Sequence, residues 1–104
     1  MQIQVNTDKH IEGGARLSAY VTQTLEDKLE RFSEHITRIE VYLSDENAHK
    51  EGSDDKRCLL EARPKGLKPI VASHNAETVD FAINGAVDKL LNSLESTIGK
   101  LRTH

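Results

Sequence analysis

Ala15–Ser44 reads ARLSAYVTQTLEDKLERFSEHITRIEVYLS, and its hydrophobic spacing changes period partway along. Leu17, Tyr20, Val21, Leu25, Leu29 and Phe32 recur at three and four residues, with Arg16, Gln23, Glu26, Asp27, Glu30 and Arg31 between them. That spacing predicts an amphipathic helix from Ala15. From Thr37 to Ser44 the period drops to two: Ile39, Val41 and Leu43 alternate with Arg38, Glu40, Tyr42 and Ser44. A helix running into a half-buried strand is therefore the centre of the fold.

Upstream, Met1–Asn6 alternates Ile3 and Val5 against Gln2, Gln4 and Asn6, an opening strand, and Thr7–Gly14 ends in a Gly13-Gly14 turn signal. Downstream, Asp45–Asp54 is almost wholly polar and reads as an exposed loop. Lys56–Arg63 places Cys58, Leu60 and Ala62 opposite Arg57, Leu59, Glu61 and Arg63. Pro64-Lys65-Gly66 then turns the chain into a strand over Leu67–Ser73, and these two strands form a hairpin. Pro69 cannot donate a ladder hydrogen bond, so the second of them lies at a sheet edge or begins just after it. Thr78 suits an N-cap. Val79, Ala82, Ile83, Ala86, Val87, Leu90, Leu91, Leu94, Ile98 and Leu101 follow at helical spacing. The order βαβββα predicts an α+β fold, a four-stranded mixed sheet with two helices packed on one face. The first two strands are expected parallel through a right-handed crossover and the rest an antiparallel meander. At 104 residues and 37% hydrophobic, the chain reads as one domain over 1–104 with core enough to fold without staples.

Little in the sequence points to catalysis. Cys58 is the single cysteine and alternates toward the core, and His10, His35, His49, His74 and His104 form no spaced pair. Asp45, Asn47 and His49 resemble the start of a calcium loop, but Lys50 stands where that loop needs glycine and Lys56 where it needs glutamate. No glycine-rich phosphate loop, GxSxG elbow or HExxH helix occurs. The reading is a non-enzyme with no metal, cofactor or small-molecule substrate. Without a basic start followed by an apolar run, no signal peptide or membrane span is expected, and the location is cytoplasmic.

The net charge of −3 and pI near 5.9 exclude binding to nucleic acid by bulk charge. Residues 1–36, 37–74 and 75–104 carry −2, 0 and −1, so a nucleic-acid surface has to be assembled by folding. Lys28 and Arg31 on the first helix, with Lys89, Lys100 and Arg102 on the last, could make one basic stripe. Alternatively they are solvated partners of Glu26, Asp27 and Glu30 and complements to a helix C-terminus. Lys56, Arg57 and Arg63 are expected to pair across strands with Glu40. Tyr42 with Arg57 and Arg63 would otherwise offer a stacking platform on an open sheet face.

The opening Met1-Gln-Ile-Gln-Val-Asn-Thr7, the helical Lys28-Leu-Glu-Arg-Phe32, the strand Ile39-Glu-Val-Tyr-Leu-Ser44 and the last-helix Ala82-Ile83 and Asp88-Lys-Leu90 resemble the ribosome hibernation-promoting factor and ribosome-associated translation inhibitor family. Within it the chain is most similar to the short form, on Asp55-Lys-Arg-Cys58 and Leu60-Glu-Ala-Arg63. The resemblance implies a βαβββα domain that binds the small ribosomal subunit in the messenger and transfer RNA channel and inhibits translation under stress. It implies rRNA contacts by Lys28, Arg31, Lys89, Lys100 and Arg102, ribosomal proteins as further neighbours, and a monomer off the ribosome. With the chain ending just after the last helix, pairing of two ribosomes through a second domain is not expected. The alternative is a protein-interaction or stress-adaptor domain of the same fold with weak or no rRNA binding, which the negative net charge favours.

Overall fold

The computed structural model describes residues 1–46 and 55–99. The elements are β1 (Gln2–Thr7), α1 (Gly14–Lys28), a 3-10 turn (Glu30–His35), β2 (Ile36–Asp45), β3 (Lys56–Pro64), β4 (Ile70–Ala76), α2 (Val79–Leu94) and a π turn (Glu95–Gly99). The sheet order is β1-β2-β3-β4; β1 and β2 run parallel, and the β2–β3 and β3–β4 pairs are antiparallel. This is the expected α+β arrangement. Most of the expected 45–54 loop, the continuation of the last helix to Leu101, and both Lys100 and Arg102 lie outside the described residues.

Two boundaries shift for local reasons. The helix expected over 15–32 stops at Lys28, because Leu29 sits at φ −106°, ψ 13°; a 3-10 turn then carries Phe32 into the core at 2% exposure. Glycine explains the start: Gly13, at φ +132°, is the residue before α1, a conformation L side chains rarely adopt. At the other helix, the Thr78 hydroxyl accepts from the Phe81 N–H at 3.1 Å, the N-cap the sequence suggests. α2 widens after Leu94 into a π turn that keeps Ile98 buried.

Register assigns the strand faces. Ile3, Ile39, Ala62 and Ile70 form one cross-strand row and Val5, Val41, Leu60 and Ala72 the next, with Leu43, Cys58 and His74 beyond them. These face the helices, whose Val21, Leu25, Ile83, Val87, Leu90 and Leu94 are fully buried in the same cluster as Leu29, Val41 and Leu60. Each such side chain contributes about 1.5–3 kcal/mol of transfer free energy. α2 packs on β4, and both carry small buried residues, Ala72 and Ala76 on the strand and Ala82 and Ala86 on the helix.

Among the described residues, no helix packs on the opposite sheet face. Its rows are Gln2–Arg38–Arg63, Gln4–Glu40–Glu61–Val71, Asn6–Tyr42–Leu59–Ser73 and Ser44–Arg57–Asn75. Arg63 therefore faces Arg38, and Glu61 faces Glu40, instead of the cation-to-Glu40 pairing expected from the sequence. The ion pairs run along strands, Arg38 to Glu40 and Arg63 to Glu61. β4 starts at Ile70, immediately after Pro69, and is an edge strand as the proline requires.

Candidate nucleic-acid interface

Strand directions make the two helices point the same way. Glu12, Gly13, Arg16, Leu17, Tyr20 and Asp80 line a depression of about 320 Å³ where both begin, and Arg31 pairs with Glu95 where both end. On this frame the helix cations separate. Lys28 is exposed in the last turn of α1 and has no charge partner among the described residues. Arg31 is held by Glu95 and stacks 4.8 Å above the Phe32 ring centroid.

Lys89 reaches the other way. Its Nζ donates to the Ser73 carbonyl of edge strand β4 at 3.0 Å. Six residues separate it from Glu95, about 240° around a helix of 3.6 residues per turn, so Lys89 and the Arg31–Glu95 pair occupy different sides of α2. Lys28 and Arg31 are thus neighbours, while Lys89 stands apart from them.

Sequence reading missed the cations that the sheet adds at the end where α1 stops. The 3-10 turn leads from Arg31 to His35, whose carbonyl accepts from the Lys65 N–H at 2.8 Å; Pro64 lies opposite Ile36, and Arg63 opposite Arg38. Lys28, Arg31, Arg38, Arg63, Lys65 and Lys68 therefore share this end, together with Glu26, Asp27, Glu30, Glu34 and Glu95 and with Glu40 and Glu61 on the sheet. Asp8, Glu12, Asp45, Glu46, Asp55, Glu77 and Asp80 belong to the other end, where β1, β2 and β4 finish and both helices start, with Lys9, Arg16, Lys56 and Arg57 among them. Folding thus brings cations from distant segments to one end, where they stand among acids instead of forming a net-positive pole. The available signal was Lys65 and Lys68 flanking the turn glycine.

On the open face, the Tyr42 hydroxyl donates to the Glu40 carboxylate, and that bond raises the phenol pKa above its ordinary value. Arg57 pairs with Glu46 and Arg63 with Glu61, so among the described residues neither arginine stacks on Tyr42. At the mouth of the β2–β3 hairpin, Lys56 bonds Asp55 and Asp45, and its pKa is raised, chiefly by the Asp55 bond. Cys58 is fully buried, and burial pushes its thiol up to about 12, far from a nucleophile's range.

These elements define a two-layer α+β protein with parallel helices on one sheet face and, among the described residues, an uncovered second face. Residues 3–102 match the family described as sigma 54 modulation protein / S30EA ribosomal protein, and the chain belongs to that family. Among solved structures it is similar to the N-terminal domain of Protein Y from Thermus thermophilus, at 21% identity and TM-score 0.72, covering 92% of this chain and 98% of that one. It is also similar to a ribosomal subunit interface protein from Coxiella burnetii, at 17% identity and TM-score 0.67, with both chains fully covered. A search of curated protein sequences finds no match. No helix among the described residues is long and apolar enough to cross a membrane.

Proposed function

We propose that this chain binds the small ribosomal subunit, sets its helix cations on rRNA in the channel used by messenger and transfer RNA, and holds ribosomes inactive under stress. The observation that carries this reading is the family match over residues 3–102. Lys28, Arg31, Lys89, Lys100 and Arg102 are the proposed phosphate contacts; among the described residues Lys28 has no charge partner, and Arg31 becomes available once it leaves Glu95. Ammonium and guanidinium groups on phosphate displace condensed counterions, which supplies most of the affinity; the folded body then excludes messenger and transfer RNA by volume. The action is stoichiometric occlusion in the cytoplasm by a monomer, without catalysis or cofactor, and ribosomal proteins flank the site.

A second reading, a protein-interaction domain of the same fold, draws support from one observation: Arg31 and Lys89 already have internal partners. Salt separates the two. Co-sedimentation with purified small subunits should weaken steeply as salt rises, and the bound protein should inhibit initiation in a reconstituted assay. Binding that ignores salt would favour the protein-interaction reading.

A further inference from the structure

We propose that the β3–β4 turn, with Arg38 and Arg63 beside it, is a second RNA-phosphate contact, separate from the helix cations. The inference rests on the ribosome-binding reading above.

Like charges placed directly opposite each other in a sheet oppose folding, yet Arg38 and Arg63 are cross-strand partners on the open face. Each is retained by a glutamate two residues along its own strand, Arg38 by Glu40 and Arg63 by Glu61, the latter at 3.0 Å. Their side chains stay 40% and 53% exposed. Arg63 uses Nε and Nη2 on Glu61, which leaves its Nη1 donors for an outside acceptor.

The turn continues this row. Lys65 and Lys68 are exposed and have no charge partner among the described residues. The loop that presents them is anchored: Lys65 N–H to the His35 carbonyl at 2.8 Å, Leu67 N–H to the Pro64 carbonyl at 3.4 Å, and Thr37 Oγ1 to the Arg63 carbonyl at 2.8 Å. Gly66 at φ +71° closes it. Leu67, 38% exposed between the lysines, adds an apolar contact of the kind a sugar or base edge accepts. Four cations, two of them planar guanidiniums suited to bidentate phosphate binding, thus meet at one corner whose two sheet acids are already engaged. That complements a polyanion.

The test is Lys65→Gln/Lys68→Gln in the full chain, with Lys9→Gln at the opposite end as control, each titrated with purified small subunits across a salt series. Wild type should bind and show Lys65 and Lys68 protected from an amine-reactive reagent in the complex. The double variant should melt like wild type and lose about 1.4–1.8 from the log–log salt slope, two contacts at about 0.7–0.9 each. The control should keep its slope. Wild-type binding with an unchanged double-variant slope and no protection would overturn this contact and leave the ribosome reading standing. Weaker binding at constant slope would mark the corner as a protein contact and overturn it too. If wild type fails to bind subunits, both readings fall.

Discussion

The imidazole of His74 in β4 lies against the backbone of Gly85 in α2, so closely that a β-carbon on Gly85 would stand 2.6 Å from Nε2. In an open helix interior, replacing glycine by alanine gains up to about 1 kcal/mol. Here the methyl group meets a ring wedged between helix and strand, and overpacking of this kind costs about 1–3 kcal/mol. Gly85→Ala should therefore destabilise in chemical denaturation, and its cost should vanish or reverse in a His74→Ala background. A Gly85→Ala protein as stable as wild type would contradict the contact.

Leu90 is fully buried where α2 covers the sheet. Leu90→Ala should cost about 2–5 kcal/mol, the spread reflecting how far the site can collapse. An unchanged melting curve would mean that α2 does not close the core as described.

Much of this fold was legible because one-sided burial writes itself into period. Ile39, Val41 and Leu43 alternate since only one face of the sheet is packed by the described helices, and Val79 through Ile98 recur at helical spacing since one stripe of the helix is buried. Thr78 and Pro69 marked their boundaries for reasons of hydrogen bonding alone. What periodicity does not carry is register. Whether Arg63 faces Glu40 or Arg38 depends on a pairing between segments far apart in the chain, and the like-with-like row was invisible for that reason. The same gap hid the grouping of the turn cations: Lys65 and Lys68 join Arg38 only through the β2–β3 ladder. Nor could the wheel of a single helix tell that Lys89 turns to the Ser73 carbonyl while Arg31 turns to Glu95.

Cys58 offers a probe of opening. Burial raises its thiol from 9.0 to about 12, so the folded protein resists forming the thiolate. A raised folded value means the associated stability is fully present below the unfolded pKa and is lost as pH climbs from about 9 toward 12. Alkylation at pH 8 should follow the unfolding equilibrium and accelerate in denaturant. Rapid stoichiometric labelling in native buffer would show that this strand is accessible.

Lys89 separates stability from binding. Its side-chain bond to the Ser73 carbonyl is made by an exposed ammonium, so Lys89→Glu should change stability by no more than about 1 kcal/mol. Binding to small subunits should nevertheless weaken, through charge reversal at a proposed phosphate contact. A variant that folds and binds as wild type does would remove Lys89 from the interface.

The Arg31–Glu95 pair makes the opposite prediction. Both side chains are about half exposed, 57% and 52%, so the pair contributes little to stability, and Glu95→Gln should shift it by less than about 1 kcal/mol. Glu95 nevertheless competes with any phosphate for the same guanidinium. Neutralising it frees Arg31 and makes this end of the molecule more positive by one unit. If Arg31 contacts rRNA, Glu95→Gln should bind small subunits more tightly than wild type, most visibly at low salt where the Arg31–Glu95 attraction is strongest. Arg31→Gln should weaken binding, and adding Glu95→Gln to it should restore much less than Glu95→Gln gains alone, because the acid then has no arginine to withhold. Equal gains in both backgrounds would mean that Glu95 acts only through its charge, and Arg31 would leave the proposed set of contacts.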